Sequence, residues 1–74
     1  MLDDDLNRMH RNPGSVQRRD LVAALREAGF EIVRTHGTHE IWAKGGASIP
    51  VPHTLKSTGV VREIVREIIQ ERRA

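Results

Sequence analysis

The stretch EIVRTHGTHEIWAKGGASIPVP, residues 31–52, decides the fold of this chain. It contains three short runs rich in strand-forming residues, and glycine-containing joints separate them: residues 30–35, 38–43 and 47–52. Such runs joined by glycines predict a meander of three antiparallel strands. The third run carries Pro50 and Pro52, and proline has no N–H to donate to a neighbouring strand, so this strand should lie at the edge of the sheet.

A helix is predicted on the N-terminal side of the strands. Its apolar residues recur at helical spacing: Leu21, Val22, Ala24, Leu25 and Ala28. Ser15 is the candidate N-cap, and Gly29 stands where helices commonly close with a left-handed residue. The amphipathic helix should therefore span residues 16–28, with the charged side chains of Arg18 and Arg19 on its outer face.

Residues 58–73 show the clearest helical pattern of the chain. The apolar positions repeat at i, i+1, i+4, i+5, i+8 and i+9: Val60, Val61, Ile64, Val65, Ile68 and Ile69. Such a stripe needs a covering partner, and one face of the sheet can supply it. The element order is then α-β-β-β-α. We expect an α+β fold like a double-stranded-RNA-binding domain, with a three-stranded antiparallel sheet and two helices on one face.

Length and composition predict one small domain. A chain of 74 residues has room for a single core, and it contains no cysteine, which excludes disulfides and thiolate metal sites. No apolar run approaches the roughly 20 residues that cross a bilayer, and the N-terminus is acidic where a signal peptide would be basic. We expect a soluble cytoplasmic protein without a membrane partner.

The charge distribution divides the chain into two parts. Residues 1–14 lack a sustained apolar period and end at the turn-forming Asn12-Pro13-Gly14, which favours a flexible or loosely docked arm. Leu2, Leu6 and Met9 would share one face if a short helix formed there. Residues 15–74 form the predicted domain, and their ten Lys or Arg against seven Asp or Glu are compatible with a polyanion partner.

Two histidines stand at the joint between the first two strands, His36 and His39. A histidine side chain can accept or donate a proton near neutral pH, because its unperturbed pKa is about 6.5. On a small basic domain without cysteine, a histidine at a strand start is a candidate acid or base for cleaving a phosphodiester. By strand alternation, His39 should share a face with Ile41 and Ala43, opposite Trp42.

Four stretches of the chain resemble the HicA toxin family, small ribonucleases of bacterial toxin–antitoxin modules with a fold like a double-stranded-RNA-binding domain. The first is a helix with a Gly-Phe exit, and the second is a strand leading into a Gly-Ser/Thr-His signature. The third is a strand ending in Pro-His, and the fourth is the closing helix. In this chain they are residues 21–30, 31–39, 49–53 and 59–69, and together they cover most of residues 16–70.

The resemblance implies that His39 is the catalytic histidine of a metal-independent endoribonuclease that cleaves mRNA without a cofactor. It also implies a HicB-type antitoxin that covers the site, so that the chain is a monomer or part of a toxin–antitoxin hetero-complex. Two positions depart from the family pattern. Glu40 stands where the family often has a second histidine, and Thr38 replaces the usual serine.

Candidate substrate-binding residues surround the predicted catalytic histidine. Arg34, Lys44 and Lys56 flank joints near strand ends, and the complete candidate set is Arg34, Gly37, Thr38, Lys44, His53 and Lys56. The N–H groups that begin the last helix could also hold an anion, although Ser57 or Thr58 acting as an N-cap is the simpler interpretation. Trp42 is interpreted as a core residue, with a partner interface as the alternative.

One alternative function remains open, and two other interpretations are disfavoured. The same fold could serve as a non-catalytic RNA-binding or protein-docking module, because topology alone does not imply chemistry. His36, His39 and His53 could be read as a zinc site, but residues three apart in one strand point to opposite faces, which argues against a metal. A DNA-binding domain is disfavoured, since no turn-linked helix pair is predicted to enter a major groove.

Overall fold

The computed structural model describes residues 2–73 and has an α+β fold. Helices α1, α2 and α3, strands β1, β2 and β3, and one short 3-10 turn follow one another along the chain. In chain order they are α1 Leu2–Arg11, the turn Pro13–Ser15, α2 Arg18–Glu27, β1 Glu31–His36, β2 His39–Lys44, β3 Ala47–Pro52 and α3 Thr58–Arg73. The predicted core order α-β-β-β-α is confirmed, and α1 precedes it.

The sheet is an antiparallel meander in the order β1-β2-β3, so β3 lies at an edge as its prolines predict. A two-residue turn joins each pair of strands, and the glycine that begins each turn has a positive φ: 64° at Gly37 and 59° at Gly45. Only glycine adopts this conformation without strain. The register between β1 and β2 shifts between Ile32 and Arg34, which indicates a β-bulge.

The two faces of the sheet differ in what they contact. Trp42, Ile49 and Val51 are buried against the helices. Directly paired residues lie on the same face, so the pairing of Glu40 with Val51 puts Glu40 on this covered face as well. The other face, here the open face, carries His39 and Ile41. The prediction that Trp42 belongs to the core is confirmed.

Helices α2 and α3 cover the sheet with the apolar positions that their sequence patterns indicate. The buried side chains of the two helices are Leu21, Ala24, Leu25, Val61, Ile64, Val65 and Ile68, and Phe30, directly before β1, joins the same cluster. Val65 and Leu25 are fully covered. Burial of these side chains is the main stabilising contribution to the fold.

The start of α2 corrects the prediction of a helix over residues 16–28 capped by Ser15. The helix begins at Arg18, and the carboxylate of Asp20 accepts a hydrogen bond of 3.0 Å from the backbone N–H of Gln17. Ser15 lies in the 3-10 turn, where its hydroxyl donates to the carbonyl of Asn12 at 3.0 Å. The end is close to the prediction, because Gly29 closes the helix at φ 98°.

The N-terminal segment differs from the expected flexible or loosely docked arm. It forms helix α1, and Leu2, Leu6 and Met9 are buried in the common core. Arg72 of α3 donates to the carboxylate of Asp3 at 2.9 Å, which adds a polar contact between the two ends of the chain. The prediction that the three apolar residues share one face is confirmed, and this face is buried in the core to which α3 also contributes.

No helix within residues 2–73 is long and apolar enough to span a membrane.

Candidate active site at the ends of strands β2 and β3

His39 is the first residue of β2 and follows the Gly37-Thr38 turn. It pairs with His36 on β1 and with Pro52 on β3, which places it on the open face of the sheet. Its side chain is exposed, and Nδ1 lies 3.3 Å from the hydroxyl of Thr38. The tight turn therefore presents an imidazole to solvent at the start of β2.

A cleft of about 430 Å³ opens beside His39. This His39 cleft is lined by Thr38, His39, Pro50, Pro52, His53, Thr54, Lys56 and Val60. Four of the residues predicted to act on substrate meet here, namely Thr38, His39, His53 and Lys56. Its volume is within the range of about 300–1,000 Å³ that is usual for small-ligand sites.

The segment after β3 forms one wall of the His39 cleft. The backbone N–H of His53 donates to the carbonyl of Thr38 at 2.9 Å, which extends the β2–β3 pairing by one residue. The hydroxyl of Ser57 accepts from the N–H of Val60 at 3.2 Å, so the prediction of an N-cap at Ser57 or Thr58 is confirmed at Ser57. Lys56 is thereby positioned directly before the start of α3.

Glu40 lies next to His39 in β2, on the covered face of the sheet, and its carboxylate contacts three side chains. Oε1 accepts a hydrogen bond from Nη2 of Arg18 and another, 3.2 Å long, from Nε1 of Trp42. Oε2 lies 3.6 Å from Nε2 of His53. Arg18 also donates from Nε to the carbonyl of Pro52 at 3.3 Å. The contacts of Glu40 therefore join α2, β2 and the residue that follows β3.

The pKa of Glu40 is held below its ordinary value. Burial of the carboxyl raises the pKa, but the hydrogen bonds from Trp42 and Arg18 lower it, and the nearby charges of Arg18 and His53 lower it further. The lowering contributions together exceed the effect of burial. Glu40 is thus a carboxylate at neutral pH, and it provides a fixed negative charge beside His53.

A comparison with family models finds one that covers most of this structure. The model describes the HicA toxin of bacterial toxin–antitoxin systems, and it matches residues 18–70. The chain belongs to the HicA toxin family. The matched residues include α2, all three strands, the His39 cleft and most of α3, whereas α1 lies outside them. No curated protein and no solved structure matches the chain.

The remaining candidate residues of this HicA-family toxin lie outside the His39 cleft. Arg34 is exposed on the open face. Its strand partner is Ile41, which lies two residues after His39 on β2. Gly37 contributes the turn conformation and no side chain. Lys44 is at the far end of β2, roughly 17 Å from His39 at the usual rise of a strand. Its aliphatic stem packs beside Gly29, so the structure does not bring Lys44 to the cleft.

The geometry of His36 corrects one argument from the sequence. His36 and His39 are direct partners across the two-residue turn and share the open face, because they belong to two different strands. The expectation that they point to opposite faces is therefore wrong. Among residues 2–73, no group of three or more His, Cys, Asp or Glu side chains is arranged to hold a metal ion.

Arg18 is the site residue of this HicA-family toxin that the sequence does not reveal. It lies 22 positions before Glu40, on a helix face that the charge pattern assigns to solvent. Glu40 carries one signal, since it stands where the family often has a second histidine. That difference marks the position without indicating its contacts.

Proposed function

We propose that this HicA-family toxin is a metal-independent endoribonuclease of a type II toxin–antitoxin module, with His39 as its acid/base residue. The observation that supports the proposal is the position of an exposed imidazole on the rim of a cleft that also contains Lys56 and His53. General acid–base catalysis requires a titratable group within hydrogen-bond reach of the substrate, and an exposed side chain at a strand start meets this requirement.

The proposed reaction begins at the ribose 2′-hydroxyl. His39 removes the proton of this hydroxyl, and the oxygen attacks the adjacent phosphorus, which leaves a 2′,3′-cyclic phosphate and a new 5′-hydroxyl. Negative charge develops on the phosphate oxygens during the attack, so a cation is needed nearby. Lys56 in the cleft is the best placed candidate, and Arg34 on the open face can bind a neighbouring phosphate.

The proposed substrate is mRNA, held along the open face with one phosphodiester in the His39 cleft. Arg34 and His39 both point to this face and are exposed, so a single strand can contact them in succession. Only two aromatic residues occur in the chain, and Trp42 and Phe30 are both buried. Binding should therefore depend on phosphate contacts more than on base stacking, and should weaken as salt rises.

The proposed partner is a HicB-type antitoxin that covers the cleft. His39 and Lys56 are exposed in the isolated chain, and a bound protein that covers them would prevent RNA from entering. The active form is then the chain without its antitoxin, and the inactive form is the hetero-complex. An mRNA substrate places the activity in the cytoplasm.

The test is cleavage of a single-stranded RNA by the purified chain in EDTA. The wild type should cleave, His39→Ala should lose at least about 100-fold in rate, and His36→Ala should keep most of the activity. His36 is the matched control, because it is the direct strand partner of His39 on the same exposed face. Circular dichroism and the fluorescence of Trp42 verify that each variant is folded.

Two results would contradict the proposal. A folded, antitoxin-free wild type that binds RNA without cutting it would favour a binding module on the same fold. Cleavage that disappears in EDTA and returns with a divalent metal would exclude the metal-independent mechanism.

A further inference from the structure

We infer that His53 is the general acid of the proposed ribonuclease reaction, and that Glu40 positions it. The inference rests on the proposed function, because it assigns a second residue to the same cleavage. Two histidines line the His39 cleft, and the proposed chemistry of His39 accounts for only one of the two proton transfers that the cleavage requires. The second transfer delivers a proton to the departing 5′-oxygen.

His53 reaches the cleft from a different direction than His39. It immediately follows Pro52, which is the direct strand partner of His39, and its backbone N–H is bonded to the carbonyl of Thr38. Strand β3 ends at Pro52, so the side chain of His53 is attached where the regular alternation stops. The two imidazoles thus belong to paired strand ends and line the same cleft.

The Glu40 carboxylate contacts the His53 ring through one nitrogen, at a distance longer than a hydrogen bond. Oε1 of Glu40 is occupied by Arg18 and Trp42, and the remaining oxygen, Oε2, is the one that lies 3.6 Å from Nε2 of His53. With Nε2 directed to the carboxylate, Nδ1 is the ring nitrogen that can meet a substrate. Trp42 is buried, and Arg18 is tied to the backbone of Pro52, so the carboxylate has a defined position.

Charge favours the same assignment. A general acid must carry a proton when the leaving group departs, and a protonated imidazole is attracted by the Glu40 carboxylate. A neighbouring carboxylate that orients an imidazole through one nitrogen leaves the other nitrogen for proton transfer, as in many hydrolytic sites. His39 has no such carboxylate within the contacts of the described residues, and its Nδ1 is next to the hydroxyl of Thr38. The two histidines are therefore suited to different roles.

The cleavage step can be written with both histidines. The 2′-hydroxyl gives its proton to His39, and its oxygen forms a bond to phosphorus. The bond between phosphorus and the 5′-oxygen breaks, and its electron pair remains on that oxygen. The 5′-oxygen takes a proton from Nδ1 of His53, which yields a 2′,3′-cyclic phosphate and a 5′-hydroxyl. Exchange of protons with water restores both imidazoles.

A substrate with sulfur in place of the bridging 5′-oxygen separates the two roles. A thiolate is a far better leaving group than an alkoxide and departs without protonation, so it does not need a general acid. On the oxygen substrate, His53→Gln should lose about 100-fold or more in kcat, which is the lower end of a typical acid–base contribution. On the sulfur substrate, the loss should fall to a few-fold. His39→Ala should be impaired on both substrates.

Glu40 is tested as a positioning residue with the same pair of substrates. Glu40→Gln keeps an oxygen for Arg18 and removes the charge beside His53. It should lower kcat on the oxygen substrate by about tenfold, which is part of the contribution of a general acid, leave KM nearly unchanged, and cause little loss on the sulfur substrate. Lys56→Ala is the control, because loss of a phosphate contact should slow both substrates equally. Trp42 fluorescence verifies the fold, and His53→Asn provides a second variant of the proposed acid.

The outcomes distinguish this inference from the proposed function. An inactive wild type contradicts the proposed function itself. If the wild type cleaves and His39→Ala does not, but the His53 variants lose equal activity on both substrates or lose none, the assignment of His53 as general acid is overturned. If only the Glu40 variant fails to distinguish the two substrates, its positioning role is overturned.

Discussion

Arg18 and Glu40 form an ion pair that joins helix α2 to strand β2 across 22 positions of sequence. The guanidinium of Arg18 also donates to the carbonyl of Pro52, so this one side chain contacts both the end of β3 and the Glu40 carboxylate on β2. About one fifth of the Glu40 side chain is exposed, against about one third of the Arg18 side chain. The pair is thus largely covered, and removing one member takes the nearest opposite charge away from the other.

Removal of the Glu40 carboxylate should destabilise the fold. Glu40→Ala removes the acceptor shared by Nη2 of Arg18 and Nε1 of Trp42, and we expect a loss of about 1–2 kcal/mol in the free energy of unfolding. Urea unfolding followed by the fluorescence of Trp42 measures it. Glu31→Ala, an exposed glutamate on β1, is the control and should change the free energy by less than about 0.5 kcal/mol. Equal effects of the two substitutions would contradict the structural role of the pair.

The contribution of Glu40 should depend on pH. Its pKa is lower in the folded state than its ordinary value, so the carboxylate stabilises the fold above the unfolded-state pKa. This stability is lost as the pH falls through the folded-state pKa. The wild type should therefore exceed Glu40→Gln in unfolding free energy at about pH 7 and approach it well below about pH 4. Urea unfolding across this range measures the difference, and a difference that stays constant would contradict the assigned cause.

Glu67 should have the opposite effect. Burial, and next the charge of Glu63 four residues earlier on α3, raise the pKa of Glu67 above its ordinary value. The ionised form is thus disfavoured in the folded state, and this destabilisation is present at neutral pH and vanishes in acid. Glu67→Gln should raise the midpoint of urea unfolding at about pH 7 and leave it unchanged in acid. Glu63→Gln removes the same repulsion and should act in the same direction by about 0.2–0.5 kcal/mol.

Helix α1 should be an integral part of the domain. Leu6 is almost completely buried in the common core, so Leu6→Ala should cost about 2–5 kcal/mol in the free energy of unfolding. Asn7→Ala, one position further on an exposed side chain, should change it by less than about 0.5 kcal/mol. Urea unfolding again measures both. A Leu6→Ala variant as stable as the wild type would indicate a detached arm, as the sequence alone suggests.

The turn that carries His39 should require glycine. Gly37 has a positive φ of 64°, whereas Gly46 in the second turn does not have a positive φ. At both glycines, no atom lies within 4 Å of the place where a Cβ would be. Any difference between the two substitutions therefore reflects backbone conformation. Gly37→Ala should cost about 1–2 kcal/mol, and Gly46→Ala should be close to neutral. Thermal unfolding of the two variants compares them directly, and equal melting temperatures would exclude the proposed strain.

The sequence by itself determined the local elements of this protein. The meander follows from residues 30–52, because glycine turns and short runs of strand formers restrict the backbone over a few residues at a time. Helix α3 follows from an apolar repeat over sixteen residues. The Gly-Thr-His signature predicts His39 as the catalytic residue. The strands and the helix are each encoded in a short window of sequence, whereas the signature has its meaning from the family resemblance over residues 16–70.

The tertiary structure alone decided which surfaces meet. Alternation placed His39 and Trp42 on opposite faces but left open which face is covered, and the packing of the helices against Trp42 exposes His39. Leu2, Leu6 and Met9 became core residues because α3 presents a complementary apolar surface, which no pattern within residues 1–14 reveals. The contacts of Glu40 with Arg18, Trp42 and His53 depend on three separate elements. Contacts of this kind form only when the chain is folded, because their partners are far apart in sequence.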